Sequence, residues 1–222
     1  MIRELHAAPL DAVRWGSKTS RLSEVAHYGL SPVPPALVLS CTERTVNPEH
    51  LRTYLAEWVD AERPAVVIVR SSTLGEDSMT SSKAGSSLTI ADVPPRVGAI
   101  EEAVTRCVRT CTDLRSVMIQ TQLAVRAAGV TFASETGTET EVGAGRDTVT
   151  SGAPVEATIR DVNGLITLSG PIDLPLLRIR DLIDVVARRL REHFRFDVDI
   201  EWAYREGALH VLQVRPVTRG LT

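Results

Sequence analysis

No run in this 222-residue chain approaches the ~20 consecutive apolar residues that a membrane-spanning helix requires. The opening stretch MIRELHAAPL lacks both the basic start and the apolar core of a secretory signal. The expectation is a cytoplasmic protein that engages no membrane. Cysteine is scarce: only three occur, Cys107 and Cys111 share one helical face, and there is no CxxC pair and no histidine cluster. That argues against a disulfide framework and against a zinc site. A net charge of -3 offers no footprint for nucleic acid. Arg188, Arg189, Arg191 and Arg195 do make one helix locally basic, and that face is expected to be solvated. Lysine is the rarest charge of all, with only Lys18 and Lys83 among 25 basic residues.

What is present suffices for a folded globular protein, since 43% of the residues are hydrophobic and 24% are charged. Leu22, Val25, Ala26 and Gly29 follow helical spacing in SKTSRLSEVAHYG, with Gly29 as the stop before Pro32, Pro34 and Pro35. A buried strand, ALVLS, comes next. Asn47 and Pro48 form an N-cap and first position for a helix with Leu51, Tyr54, Leu55, Trp58 and Val59 on one stripe. AVVIVR, residues 65–70, reads as a strand buried on both faces, and it runs into the Ser- and Thr-rich loop SSTLGEDSMTSSKAGSS. Long loops inside a compact half often carry function.

After the short strand SLTI, Pro94 and Pro95 open a helix with Val97, Ile100, Val104, Cys107, Val108 and Cys111 on one side. From Leu114 the pattern turns to strands, namely SVMIQTQL, GVTFAS, TETEVG, VEATIRD and GLITL. A helix from about Leu176 to Phe194 and a hairpin end the pattern. The expected class is therefore α/β (α+β), in two lobes, 1–112 and 113–222, with a cleft between them.

The hairpin, DIEWAYREGALHVLQVRP, puts charged and amide groups inside apolar strands. A period of two places Val198, Ile200, Trp202 and Tyr204 on one face and Asp199, Glu201 and Ala203 on the other. On the returning strand Leu209, Val211, Gln213 and Arg215 share a face. A two-residue connection of Glu206 and Gly207 would set Glu201 opposite Leu212. An odd-numbered loop centred on Gly207 would instead set Glu201 opposite Gln213 and Asp199 opposite Arg215. In that second register a carboxylate oxygen and an amide oxygen converge, a donor set suited to Mg²⁺, with a guanidinium alongside for phosphate. A solvated hairpin face with a surface ion pair, worth only ~0–1 kcal/mol, is the other reading of the same pattern.

The hairpin resembles the end of the ATP-binding domain of the phosphoenolpyruvate synthase, pyruvate phosphate dikinase and rifampin phosphotransferase family, a member of the ATP-grasp superfamily. WGSKTSRLSEVAHYGLSPVPPALVLS resembles that family's first segment, so the resemblance implies that Lys18 is the ATP-phosphate lysine. VRSSTLGEDSMTSSKAGSS is similar to the segment whose arginine, here Arg70, reaches the phosphates and whose Gly85 begins a covering loop. SVMIQTQLAVRAAGVTF looks like the adenine-binding hinge, implying a nucleobase site along Gln120, Thr121, Gln122 and Leu123. The hairpin carries over Glu201 and Gln213 as metal and phosphate ligands and Arg215 as a phosphate contact. The implied catalytic residues are Lys18, Arg70 and Arg215, and the implied cofactors are ATP and Mg²⁺.

This sequence departs from the family in reading Gly16-Ser17-Lys18 where a second glycine is usual, and in a shorter glycine-rich stretch near EVGAGRDTVTSG. The swivelling phosphohistidine domain and the phosphoenolpyruvate-binding barrel are not in the 222 residues, so phosphoenolpyruvate synthesis by this chain alone is not expected. The resemblance implies an ATP- and Mg²⁺-dependent phosphotransferase, of kinase or dikinase type. Its acceptor would be a small molecule or a histidine on a separate phosphohistidine-domain protein. The alternatives are an ATP-grasp ligase working through an acyl phosphate, and a non-catalytic nucleotide-binding subunit of a partner enzyme.

Overall fold

The apolar runs ALVLS and VVIVR do form strands, and the strand beginning at Leu114 lies hydrogen-bonded between them. The computed structural model describes residues 1–41, 48–75, 77–78, 81–82, 88–144, 155–170 and 175–217. In chain order its first elements are β1 (Ile2–Glu4), α1 (Ala12–Trp15), α2 (Ser17–His27), β2 (Ala36–Ser40), α3 (Pro48–Glu62) and β3 (Val67–Thr73). The short strands β4 (Asp77–Ser78) and β5 (Ser81–Ser82) follow, then β6 (Thr89–Val93), α4 (Val97–Thr110) and β7 (Leu114–Thr121). The five longer strands make one antiparallel sheet in the order β1-β2-β7-β3-β6.

Residues directly opposite each other in an antiparallel ladder point to the same side of the sheet. One side of this sheet is apolar: Leu37, Leu39, Val67, Val69, Val117 and Ile119 pack with Leu55 and Trp58 of α3 and Ile100, Ala103, Val104 and Cys107 of α4. Tyr54 and Val108, expected on those helices' apolar stripes, are exposed instead. The helix expected to be capped by Asn47 begins at Pro48, and Asn47 itself lies outside the described residues.

The second unit contains β8 (Ala127–Ser134), β9 (Gly137–Ala144), β10 (Ala157–Val162), β11 (Leu165–Ser169), α5 (Leu176–Phe194), β12 (Val198–Arg205) and β13 (Ala208–Pro216). Its strands form a six-stranded antiparallel sheet in the order β11-β10-β9-β8-β12-β13. Val198, Ile200 and Trp202 lie on the face that α5 covers, because Asp161, on that same face through its register with Thr138 and Ala133, pairs with Arg180 of α5. Ile179, Ile183, Val186 and Leu190 are the buried stripe of α5. The segment Tyr28–Val33 also belongs here: the Val211 N–H donates to the Pro32 carbonyl, and the Ser31 hydroxyl donates to the Leu209 carbonyl.

The mixed α/β class is as the sequence implies, but the division falls elsewhere. The units are Met1–His27 with Pro34–Gln122, and Tyr28–Val33 with Leu123–Thr222. The boundary expected at 112 moves to Gln122 because β7 pairs on both edges with β2 and β3, making it the centre of the first sheet. Among the described residues no helix is long and apolar enough to cross a membrane.

Candidate functional site

The second face of the first sheet is mixed, with polar groups set among Ala36, Val38, Ile68 and Met118. Ser40, Ser116 and Ser72 stand in one row across β2, β7 and β3, Met118 stands beside Arg70 in the next, and Gln120 lies opposite Ile68 and Ala36 in the third. Arg70 and Gln120 are both buried here, at 6% and 1% exposure. Charge and amide groups on an interior face need a reason, since unpaired they would be costly to bury.

Hydroxyl groups fasten the start of α2 onto this face. The Thr19 N–H donates to Ser72 Oγ at 3.2 Å, and the Thr19 and Ser116 hydroxyls share a hydrogen bond of 3.0 Å. The Ser116 hydroxyl also donates to the Trp15 carbonyl, and the Gly75 N–H donates to Ser17 Oγ. Gly16 makes the turn with φ of 82°, and a Cβ there would collide with Ser72. Lys18 therefore sits in the first turn of a helix pinned to the Arg70 face, and it is buried, at 5% exposure. Of these hydroxyls only Ser72 falls in the Ser-rich stretch expected to be loop, and that stretch is corrected at its start: Ser71–Thr73 are the end of β3.

The expected hinge residues lie at the end of β7 and beyond. The Gln120 side chain donates to the Pro34 carbonyl at 3.2 Å, and the Thr121 N–H donates to Pro35. Gln122 is clamped to Asp92, accepting its N–H at 2.9 Å and donating to its carboxylate at 3.0 Å. That clamp holds Asp92 at φ of 56°, an unusual conformation for a non-glycine residue. Leu123 is the first residue of the second unit's long segment. Gly85, expected to start a covering loop, lies outside the described residues.

In the second unit the hairpin reaches the expected pairing by an unexpected route. The connection is a two-residue turn, Glu206 and Gly207, both with positive φ (52° and 84°), as a tight hairpin turn requires. Such a turn alone would set Glu201 opposite Leu212. A bulge between Glu201 and Trp202 takes Leu212 out of the ladder, so Glu201 lies opposite Gln213 and Asp199 opposite Arg215. The odd-numbered loop is thus corrected to a tight turn plus a bulge. The shared face is corrected as well: Leu209 and Val211 lie with Tyr204 and Trp202, while Gln213 and Arg215 lie with Glu201 and Asp199.

On that second face the charges are in contact. Arg215 Nε and Nη2 approach Asp199 Oδ2 at 3.0 and 2.9 Å, and Nη2 lies 3.5 Å from Glu201 Oε1. Asp199 and Glu201 are each 9% exposed and Gln213 is 4% exposed, so the picture of a freely solvated surface pair does not hold. One carboxylate oxygen and one amide oxygen side by side fit a hard cation that keeps phosphate oxygens and water as its remaining ligands. Mg²⁺ is chemically compatible with Glu201 and Gln213. Among the described residues no group of three or more His, Cys, Asp or Glu side chains is arranged to hold a metal.

Two open cavities among the described residues, of about 790 and 370 Å³, border α5 and the β8–β9 turn within the second unit. Neither is lined by a residue expected to meet nucleotide or metal; both are lined by Arg188 and Arg191 of the locally basic helix, and the larger also by Arg195. Arg191, one of the locally basic group, pairs with Asp197 at 3.0 Å.

No protein-family model matches the chain, and no curated protein matches it in sequence. Solved structures do match in fold. The D-alanine-D-alanine ligase from Coxiella burnetii aligns with a TM-score of 0.54 and 12% identity over 92% of this chain and 48% of that one. D-alanine--D-alanine ligase from Bacillus anthracis aligns at 0.51 and 11%, over 92% and 57%. D-alanyl-alanine synthetase A from Vibrio cholerae O1 biovar eltor aligns at 0.50 and 12%, over 89% and 56%. The chain thus spans about half the length of the solved structures it matches. At this identity the likeness carries the fold, which is ATP-grasp-like: mixed α/β with two antiparallel sheets.

Proposed function

We propose that the chain binds Mg²⁺·ATP and transfers the γ-phosphoryl group to a carboxylate, giving an acyl phosphate that an amine then captures with release of phosphate. The observation that carries ATP use is the bulged hairpin, which joins Glu201, Gln213 and Arg215 on one face in an ATP-grasp-like fold. The ligase form of the reaction is preferred because the solved structures sharing the fold are ligases.

Phosphoryl transfer demands positioning and neutralisation of charge on a loose transition state. In this reading Lys18, Arg70 and Arg215 meet the phosphates, and residues Gln120 to Leu123 meet the adenine. Glu201 and Gln213 hold Mg²⁺. Bound there, the cation would draw off charge from the phosphate oxygens. Lys18 and Arg70 support this part by their place: both are buried, and Lys18 stands in the first turn of the helix fastened to the sheet face that carries Arg70.

A second reading keeps the same nucleotide site but passes the phosphoryl group to a small hydroxyl or amine, or to a histidine of a separate protein, as a kinase or dikinase would. The residues of the hairpin favour it, since DIEWAYREGALHVLQVRP is the segment that most resembles the dikinase family. ³¹P NMR of ATP incubated with protein and Mg²⁺ separates the readings. ADP and phosphate formed only when a carboxylate and an amine are both supplied is the expected result. AMP and phosphate would point to dikinase chemistry, and ADP with a single acceptor to a kinase. Binding without turnover under any acceptor would leave a nucleotide-binding subunit.

A further inference from the structure

Asp199 and Glu201 lie two residues apart on β12, on one face, and both are about nine-tenths buried. The guanidinium of Arg215 reaches both. Its Nε donates a hydrogen bond to Asp199 Oδ2 at 3.0 Å and its Nη2 is ion-paired to the same oxygen at 2.9 Å, but it stands 3.5 Å from Glu201, longer than a charged hydrogen bond. Arg215 is thus anchored on one carboxylate and leans on the other.

We infer that Arg215 is a resident counter-ion of Glu201 which an incoming divalent cation displaces, and that Asp199 is the positioning residue that retains the guanidinium. This rests on the proposal that Glu201 and Gln213 hold the metal of a nucleotide. The unequal distances give the direction of exchange: the longer contact to Glu201 is the cheaper one to surrender. Once it is surrendered, the contacts to Asp199 still hold the guanidinium beside the metal, as a fixed positive charge for a phosphate to meet. Metal and phosphate binding are then coupled. A bare cation has to push against a fixed positive charge, whereas a cation arriving with a triphosphate brings the anion that Arg215 turns to meet.

The consequence is an inversion of sign. A mere phosphate contact, when removed, weakens nucleotide binding and leaves the bare metal indifferent. Removing Arg215 should instead tighten binding of the metal alone. Mn²⁺, which substitutes for Mg²⁺ and is read by electron paramagnetic resonance, is the probe. Arg215→Gln is expected to bind Mn²⁺ without nucleotide roughly tenfold or more tightly than the wild type, the scale of a unit charge a few ångströms away at an intermediate dielectric. The same variant should bind Mn²⁺·ATP more weakly. Arg215→Lys, which keeps the charge, should show no such gain.

Because Arg215→Gln leaves Asp199 without its guanidinium, the comparison is repeated in an Asp199→Asn background. There Arg215 falls back onto Glu201, and the gain on adding Arg215→Gln should be larger than in the wild type, a coupling that a double-mutant cycle reads directly. Equal Mn²⁺ binding with and without Arg215 in both backgrounds, including no detectable binding in any variant, overturns the inference. The nucleotide site is judged separately: Mn²⁺·ATP binding that is lost in Glu201→Gln keeps that proposal standing even where the exchange fails. Mn²⁺·ATP binding insensitive to Glu201 removes both.

Discussion

Glu201 lies opposite Gln213 because β13 carries one residue more than β12 at that rung, Leu212, which the bulge takes out of the pairing. Removing that residue should not break the pair. With Leu212 deleted, Val211 remains opposite Trp202 and the next residue, Gln213, alternates onto the Glu201 face, so the ladder becomes regular. The expected outcome is a folded protein with nucleotide affinity within a few-fold of the wild type and a melting temperature a few degrees lower, from the loss of a half-buried leucine. Isothermal titration with Mg²⁺·ATP and a thermal melt check it. Loss of binding in a folded deletion would mean that the twist added by the bulge, rather than the register alone, aims these groups.

Gly16→Ala should damage the Lys18 turn. Its φ of 82° disfavours any side chain, and the added Cβ would meet the Ser72 backbone and hydroxyl. Ser72 is the residue that receives the Thr19 N–H, so the clash acts on the anchor of α2. A destabilisation of roughly 2–4 kcal/mol is expected from overpacking together with backbone strain. Urea denaturation measures it. Nucleotide affinity of the folded fraction should fall too, and unchanged affinity would argue against a role for this turn in holding phosphate.

The elements were legible where local pattern determines them. β2 and the first part of β3 follow from apolar runs and α5 from its helical pattern, whereas the polar end of β3, Ser71–Thr73, read as loop. Pairing across the chain was not legible. Nothing near Leu114 says that β7 enters the middle of the first sheet rather than starting a second one, because strand partners are chosen by distant segments. The excursion of Tyr28–Val33 to β13 is of the same kind. At the site, residue types on the hairpin pointed to Glu201, Gln213 and Arg215, but alternation by two presumes an unbroken ladder and so misassigned Leu209 and Val211. The role of Asp199 emerged only with distances, since a sequence gives its rung and not the unequal sharing of one guanidinium.

His210 supplies a pH dependence. Burial, helped by the nearby Arg205, holds its imidazole below the ordinary range for histidine. The unfolded chain accepts a proton as pH falls through ~6.5, while the folded chain resists it. Stability attributable to His210 is therefore complete above that pH and is lost as pH drops below it, until the depressed folded value is reached. Urea midpoints measured from pH 8 to pH 5 should fall across the lower part of that window in the wild type. They should fall less in His210→Gln, and identical profiles would remove His210 as the cause.

Trp202 offers a test of the second unit's core that does not involve the nucleotide. Its indole N–H donates to Thr131 Oγ1 at 2.9 Å, and that hydroxyl shares a further hydrogen bond of 2.9 Å with Thr140. Trp202 and Thr131 are fully buried, and Thr140 is 2% exposed. In Thr131→Val the shape is nearly kept, but the indole N–H and the Thr140 hydroxyl both lose this partner in a dry interior. Leaving a buried polar group unsatisfied costs ~1–3 kcal/mol, so a loss near the upper end of that range is expected. A second change, Thr140→Val in the same chain, removes one of the two stranded groups and should recover part of the loss. Urea unfolding followed by tryptophan fluorescence reads both variants, and a double variant no more stable than Thr131→Val would refute the hydrogen-bonded chain as the source of the cost.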